Sequence, residues 1–262
     1  MIQKQNKYIE KTGITGTGDD YNIYKMSLKE KIIGFLIAFA GGFLGFQIIF
    51  GILIASLILG TVTGFLAYSL YGKFLFKKRQ NLILIQFRDL LDALNNSFAS
   101  GKNTQKAFED SFNDMQTSSG EESIICKELK IILSGLQSNF TIEDLLKDMA
   151  IRCGLEDMQS FADTFAICNR IGGNLKAMVS EGRSIINDKI EIEMEIQTTL
   201  AANKNELNIM SVLPFIIILM MNMMGQDSIT ENSILNVAVK CAALIIFIVS
   251  YIIGRKITDI KV

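Results

Sequence analysis

Ile32-Ile-Gly-Phe-Leu-Ile-Ala-Phe-Ala-Gly41-Gly-Phe-Leu-Gly-Phe-Gln-Ile-Ile-Phe-Gly51-Ile-Leu-Ile-Ala-Ser-Leu-Ile-Leu-Gly-Thr-Val-Thr-Gly-Phe-Leu-Ala-Tyr-Ser-Leu-Tyr-Gly72 is a run of 41 residues without a charged side chain. As one helix it would be ~62 Å long, about twice the ~30 Å hydrocarbon core of a bilayer. The run therefore reads as two membrane spans, about 32–49 and 52–71. The turn between them is expected where Gly41, Gly42, Gly45, Gln47 and Gly51 cluster.

A second apolar region begins near Ile209. Ile209 to Gly225 is free of charge, and Ile234 to Gly254 carries one, Lys240. Two further spans fit, about 209–225 and 235–254, joined by the polar link 226–233. The third span is near the lower length limit, and Pro214 is expected to bend it. Lys240, near one end of span four, is expected to snorkel to the interface. The chain thus reads as an all-α membrane protein with four transmembrane helices and a six-helix bundle between spans two and three. No short apolar core with a small-residue cleavage site opens the chain, so the first span is expected to be an anchor and not a secretory signal.

Positive charge orients the spans. Lys25, Lys29 and Lys31 precede span one. Lys73, Lys77, Lys78 and Arg79 form a collar after span two, suited to an anionic lipid surface. Arg255, Lys256 and Lys261 follow span four, while the link after span three has Asp227 and Glu231 and no Lys or Arg. Both termini and the middle domain are therefore expected in the cytoplasm, with the two short links facing outward.

The expected organisation is a polar tail over 1–24, a membrane hairpin over 25–72, a helical domain over 73–208, a second hairpin over 209–254, and a tail over 255–262. The domain carries 16 Lys+Arg against 20 Asp+Glu. This acidic balance argues against nucleic acid as a partner. Leu82, Ile83, Phe87, Leu90, Leu91, Leu94 and Phe98 recur at helical spacing. Helices are expected near 80–99, 104–115, 122–137, 142–152, 156–171 and 175–206. Ile190-Glu-Ile-Glu-Met-Glu-Ile196 alternates with period two, but no turn residues bound it and it is read as helix.

Three junctions share one logic: Gly101-Lys-Asn103, Asn139-Phe-Thr141 and Gly172-Gly173-Asn174. Gly or Asn, which tolerate the left-handed conformation, ends one helix. Two residues later Asn or Thr can cap the next. Any antiparallel bundle needs such turns, so the pattern alone does not choose a family.

Much familiar chemistry is absent. The chain has no His, which excludes a Ser-His or Cys-His pair. It has no GxxxxGK[ST] loop. Gly13-Ile-Thr-Gly16-Thr-Gly18 lacks both the strand and the Lys of a phosphate cradle, and reads as a flexible tail. Glu121-Glu122 and Asp19-Asp20 read as solvated charge. Cys126, Cys153, Cys168 and Cys241 form no CxxC pair and read as reduced thiols packed as small hydrophobes. No catalytic, cofactor or metal residues are assigned. Glu191, Glu193 and Glu195 concentrate acidic charge; they read as a solvated face or as a docking surface for a basic partner.

Phe87-Arg-Asp-Leu-Leu-Asp-Ala-Leu94 with Ala99-Ser-Gly101, then Thr141-Ile-Glu-Asp-Leu-Leu146 with Cys168-Asn-Arg-Ile-Gly-Gly-Asn-Leu175, resembles the type II secretion system F domain family. The order of two spans, helical domain and two spans, with the closing Gly254-Arg-Lys-Ile-Thr-Asp-Ile-Lys-Val262, is similar to the TadB platform proteins of tight-adherence (Flp-type) pili. The resemblance covers about 25–262. It implies a non-enzymatic inner-membrane platform that couples a cytoplasmic secretion or pilus ATPase to pilin extraction and filament assembly. The implied partners are that ATPase, a TadC-like sister platform protein, pilin subunits and further copies of the chain. A transporter subunit and a membrane-tethered signalling protein are the alternatives. Mostly charge-free spans disfavour the first, and short outer links disfavour the second.

Overall fold

The computed structural model describes residues 13–24, 26–51, 53–223 and 234–258. The first 12 residues, the 226–233 link, the end of the C-terminal tail and the Cys241 side chain lie outside the described residues. The described residues are mainly helical, with no strand among them: α1 Leu28–Phe50, α2 Leu53–Ala99, α3 Thr104–Ser119, α4 Ile124–Gln137, α5 Ile142–Cys153, α6 Glu156–Arg170, α7 Leu175–Met223 and α8 Ile234–Thr258.

The chain divides into two compact units. The first holds residues 74–191 together with the segment up to residue 25, and the second holds 26–73 and 192–262. Helices α2 and α7 contribute to both. This differs from the sequence expectation, in which a helix began near residue 80 and another ended near 206. The apolar-to-charged change at Gly72–Lys73 is a change of surroundings and not a helix breaker. Leu75 and Lys77 are both good helix formers, as are Ala201, Lys204, Glu206 and Leu207 farther on. Pro214 lies inside α7, which runs through it.

In the first unit, α3 to α6 pack against the latter part of α2 and the first part of α7. The buried stripe of α2 is Ile83, Phe87, Leu90, Leu91 and Leu94, each at 0% exposure. Phe87 meets Phe161 of α6 edge-on at 5.4 Å, and Phe108 of α3 meets Phe165 of α6 at 6.2 Å. These edge-to-face pairs stabilise by about 0.5–1.5 kcal/mol each beyond area burial. Val179 and Ile186 bring α7 into the same core, and Arg183 of α7 pairs with Asp92 of α2. Residues 190–196 lie within α7, as the long helical sequence on either side dictates.

In the second unit, α1 and the first part of α2 form a hairpin. Its turn is at Gly51, which is left-handed at φ 65° and donates its N–H to the Gln47 carbonyl. Gly41, Gly42 and Gly45 are therefore helical, not part of the turn. Gly42 is needed for close approach: a Cβ there would sit 2.1 Å from Thr63 Oγ1 and 3.4 Å from the Gly60 Cα. Such small-residue contacts let helix backbones meet where no hydrophobic driving force acts between them. Phe215 of α7 packs edge-on against Phe247 of α8 at 5.8 Å, and Leu207 of α7 packs on Gly254 of α8.

Two helices hold stretches long and apolar enough to cross a membrane, Leu28–Ile49 and one within Leu175–Met221; Ala242–Gly254 is a shorter apolar stretch. The core helix of a soluble protein would be mostly buried, whereas these two stretches are 6% and 0% buried.

Candidate functional site

The most structured polar site was not anticipated. Arg152, on the last turn of α5, is 1% exposed, and Glu128 on α4 is fully buried. The guanidinium makes a two-pronged pair with that carboxylate, Nη1 to Oε1 at 2.6 Å and Nη2 to Oε2 at 2.5 Å. Its Nε donates to Asp148 Oδ2 at 2.8 Å. Burial alone would lower the basicity of Arg152; the hydrogen bonds and charges of Glu128 and Asp148 outweigh it and raise its pKa. Bidentate geometry of this kind is what the planar guanidinium favours.

The lid on this pair is the segment 13–24. Asp19 gives its carbonyl to Arg152 Nη1 at 3.3 Å. Ile14 donates its N–H to Asp148 Oδ1 at 3.0 Å. Tyr21 is 3% exposed, and its N–H donates to the Arg152 carbonyl at 2.9 Å. Burial pushes the Tyr21 hydroxyl pKa far up, and the neighbouring, hydrogen-bonded Glu128 adds to this. Asn22 Nδ2 donates to the Ile151 carbonyl at 2.9 Å. The segment crosses so close to Gly154 that a Cβ there would lie 1.6 Å from Asn22 Oδ1. Arg79 does not simply face lipid headgroups: its guanidinium lies 4.8 Å from the Tyr21 ring centroid and 5.7 Å from that of Tyr24. The flexible-tail reading of Gly13 to Gly18 is thus corrected. A docked segment satisfies its backbone against α5, and Asp19 contributes a carbonyl to a buried charge cluster.

The three junctions have a common geometry. Gly101, Asn139 and Gly172 sit at φ 73°, 64° and 70°. Asn139 is the one non-glycine residue at positive φ among the described residues, and Asn is the type that tolerates it. The caps are Asn103 Oδ1 accepting from Lys106 N–H at 2.9 Å, Thr141 Oγ1 from Asp144 N–H at 3.3 Å, and Asn174 Oδ1 from Ala177 N–H at 3.1 Å. Gly173 donates its N–H to the Cys168 carbonyl at 2.8 Å, and a Cβ there would press on Cys168 Sγ at 2.7 Å. Gly120 and Gly154 also have positive φ and end α3 and α5.

Lys73, Lys77 and Lys78 are exposed on α2, and Glu191 and Glu195 are exposed on α7 with Glu193 half-buried. Cys126 and Cys153 are buried and Cys168 is half-buried, all as free thiols. Burial pushes the Cys153 thiol pKa far up, with Glu128 adding to it, so this thiol is packed and unreactive. No family model, no curated protein and no solved structure matches the chain.

Proposed function

We propose that this chain is a non-enzymatic platform of the type II secretion system F class, TadB-like, anchored by four transmembrane helices in the inner membrane with both termini and the helical unit in the cytoplasm. It passes motion from a separate cytoplasmic ATPase to pilin subunits entering a filament. The observation that carries this reading is an order: an apolar hairpin, a helical unit in which three of the five turns repeat one left-handed residue plus one cap, and a second apolar region. The exposed apolar surface of the second unit supports it, with Leu36, Ile37, Phe65, Ile217, Ile246 and Ile253 each about half exposed or more. On this reading Lys77 and Lys78 lie at the lipid surface, and Glu191, Glu193 and Glu195 offer a docking face.

Thiol labelling of intact cells tests the topology. On a background with the native cysteines replaced, a cysteine at Ser228 or Ser233 should label from outside, and one at the exposed Ser138 only after lysis. Labelling of position 138 from outside would overturn the reading. Co-purification of the full chain with candidate secretion ATPases tests the partnership, and failure with all of them would remove the platform role while leaving the topology standing.

A further inference from the structure

Within the second unit, α1, α7 and α8 enclose a crevice of about 370 Å³, partly open to the surroundings. Its wall is apolar: Phe46, Phe215 and Phe247 line it, beside Gly41 and Gly45 of α1. The exception is Lys240 of α8. Its Nζ is buried and has no hydrogen-bond partner among the described residues, and the crevice lining contains no acidic residue. This corrects the expectation that Lys240 snorkels to the interface. An ammonium has three donors and no acceptor, and one left unpaired in apolar surroundings is costly. The described residues supply no acceptor for it.

We propose that the crevice is a binding site for an anionic amphiphile, whose carboxylate or phosphate head pairs with Lys240 and whose hydrocarbon lies against Phe46, Phe215 and Phe247. The proposal rests on the membrane part of the reading above. The size suits a small, chain-like ligand. The volume falls in the range of small-ligand pockets, about 300–1,000 Å³. Depth agrees. Lys240 is six residues into α8, ~9 Å along its axis, within reach of a head group drawn slightly inward but not of bulk water.

The chain contains no Trp, so a single introduced Trp is a clean reporter. Full-length Phe215→Trp is placed in phosphatidylcholine nanodiscs doped with brominated stearic acid, brominated phosphatidylglycerol or brominated phosphatidylcholine. At least one anionic probe should reach half-maximal quenching at a mole fraction at least about fivefold below the zwitterionic one. Which anion quenches better separates a carboxylate from a phosphate source. Lys240→Met should reduce the preference to under about twofold, while Lys240→Arg should keep it. Phe247→Trp repeats the measurement, so that one poorly folded variant does not decide it. Equal quenching by all three probes would overturn the site and point to a protein carboxylate as the partner of Lys240; so would a preference that survives Lys240→Met. A chain that stays in the aqueous phase when detergent is removed would instead sink the membrane reading, and the site with it.

Discussion

Removing the Glu128 side chain with Glu128→Ala should loosen the first unit far more than removing any exposed charge. The pair it breaks is dry, with Arg152 1% and Glu128 0% exposed. Truncating one partner of such a pair costs about 3–5 kcal/mol, because a charge is left buried without its counter-charge. Here Asp148, 15% exposed, keeps hold of Arg152 Nε, so the lower end, ~3 kcal/mol, is expected. The native thiols supply the assay. Cys126 and Cys153 are 1% and 0% exposed, so they react with a maleimide only when the unit opens. At about 1.4 kcal/mol per decade, their labelling in the full chain should speed up at least about a hundredfold. The double variant Glu128→Met with Arg152→Met removes both charges at similar volume and should return the rate to within about tenfold of the native chain. Labelling of Glu128→Ala within about threefold of native would mean that the pair holds nothing together. A double variant as loose as the single one would assign the loss to packing instead of unpaired charge.

Alkaline pH should weaken the same unit. Tyr21 and Cys153 both have folded pKa values raised above their ordinary ones, so the folded state holds protons that the unfolded state releases. Their contribution is whole at neutral pH and falls as pH rises, from about 8.5 for the thiol and about 10 for the phenol, at ~1.4 kcal/mol per pH unit for each group. Melting between pH 7 and 11 should show this slope, and Tyr21→Phe and Cys153→Ala should each flatten it. At the third junction, Gly172→Val should cost about 1–2 kcal/mol from its left-handed backbone and Asn174→Ala about 0.5–2 kcal/mol from the lost cap. Glu193→Gln should cost under about 0.5 kcal/mol; thiol labelling at Cys126 ranks the three, and native-like behaviour of Gly172→Val would refute the junction argument. Gly154→Val should displace the segment 13–24, read as new protease cleavage within it, because the added carbons occupy the place of Asn22.

Helix type and turn positions were legible because their causes are local. A Gly or Asn followed two residues later by Asn or Thr specifies an end and a start within a single short stretch. The docked segment was not legible, because its hydrogen-bond partners on α4 and α5 lie more than a hundred residues away and its own composition is that of a loop. A signal did exist. Glu128 sits between Ile125, Leu129 and Ile132, and Arg152 follows Met149, each charge falling in an apolar stripe at helical spacing. Two opposite charges on buried faces imply a pair, and Tyr21 is the aromatic that could cover it. The unbroken courses of α2 and α7 were missed because a change in composition was read as a change in structure. Lys240 was misplaced because its depth along the chain was weighed without the groove into which it faces.

The reach of the contact between Ile14 and Asp148, 134 residues apart, has a consequence for how the protein is made. At about 5–20 residues per second, a ribosome needs roughly 7–27 s after Ile14 to deliver Asp148. During that interval, on the membrane reading proposed above, the first apolar hairpin emerges and is handed to the insertion machinery before α5 exists for the leading segment to bind. Tyr21 and its neighbours therefore lack their α5 partners until late in synthesis, and their attachment to α5 marks the completion of the helical unit, not its beginning.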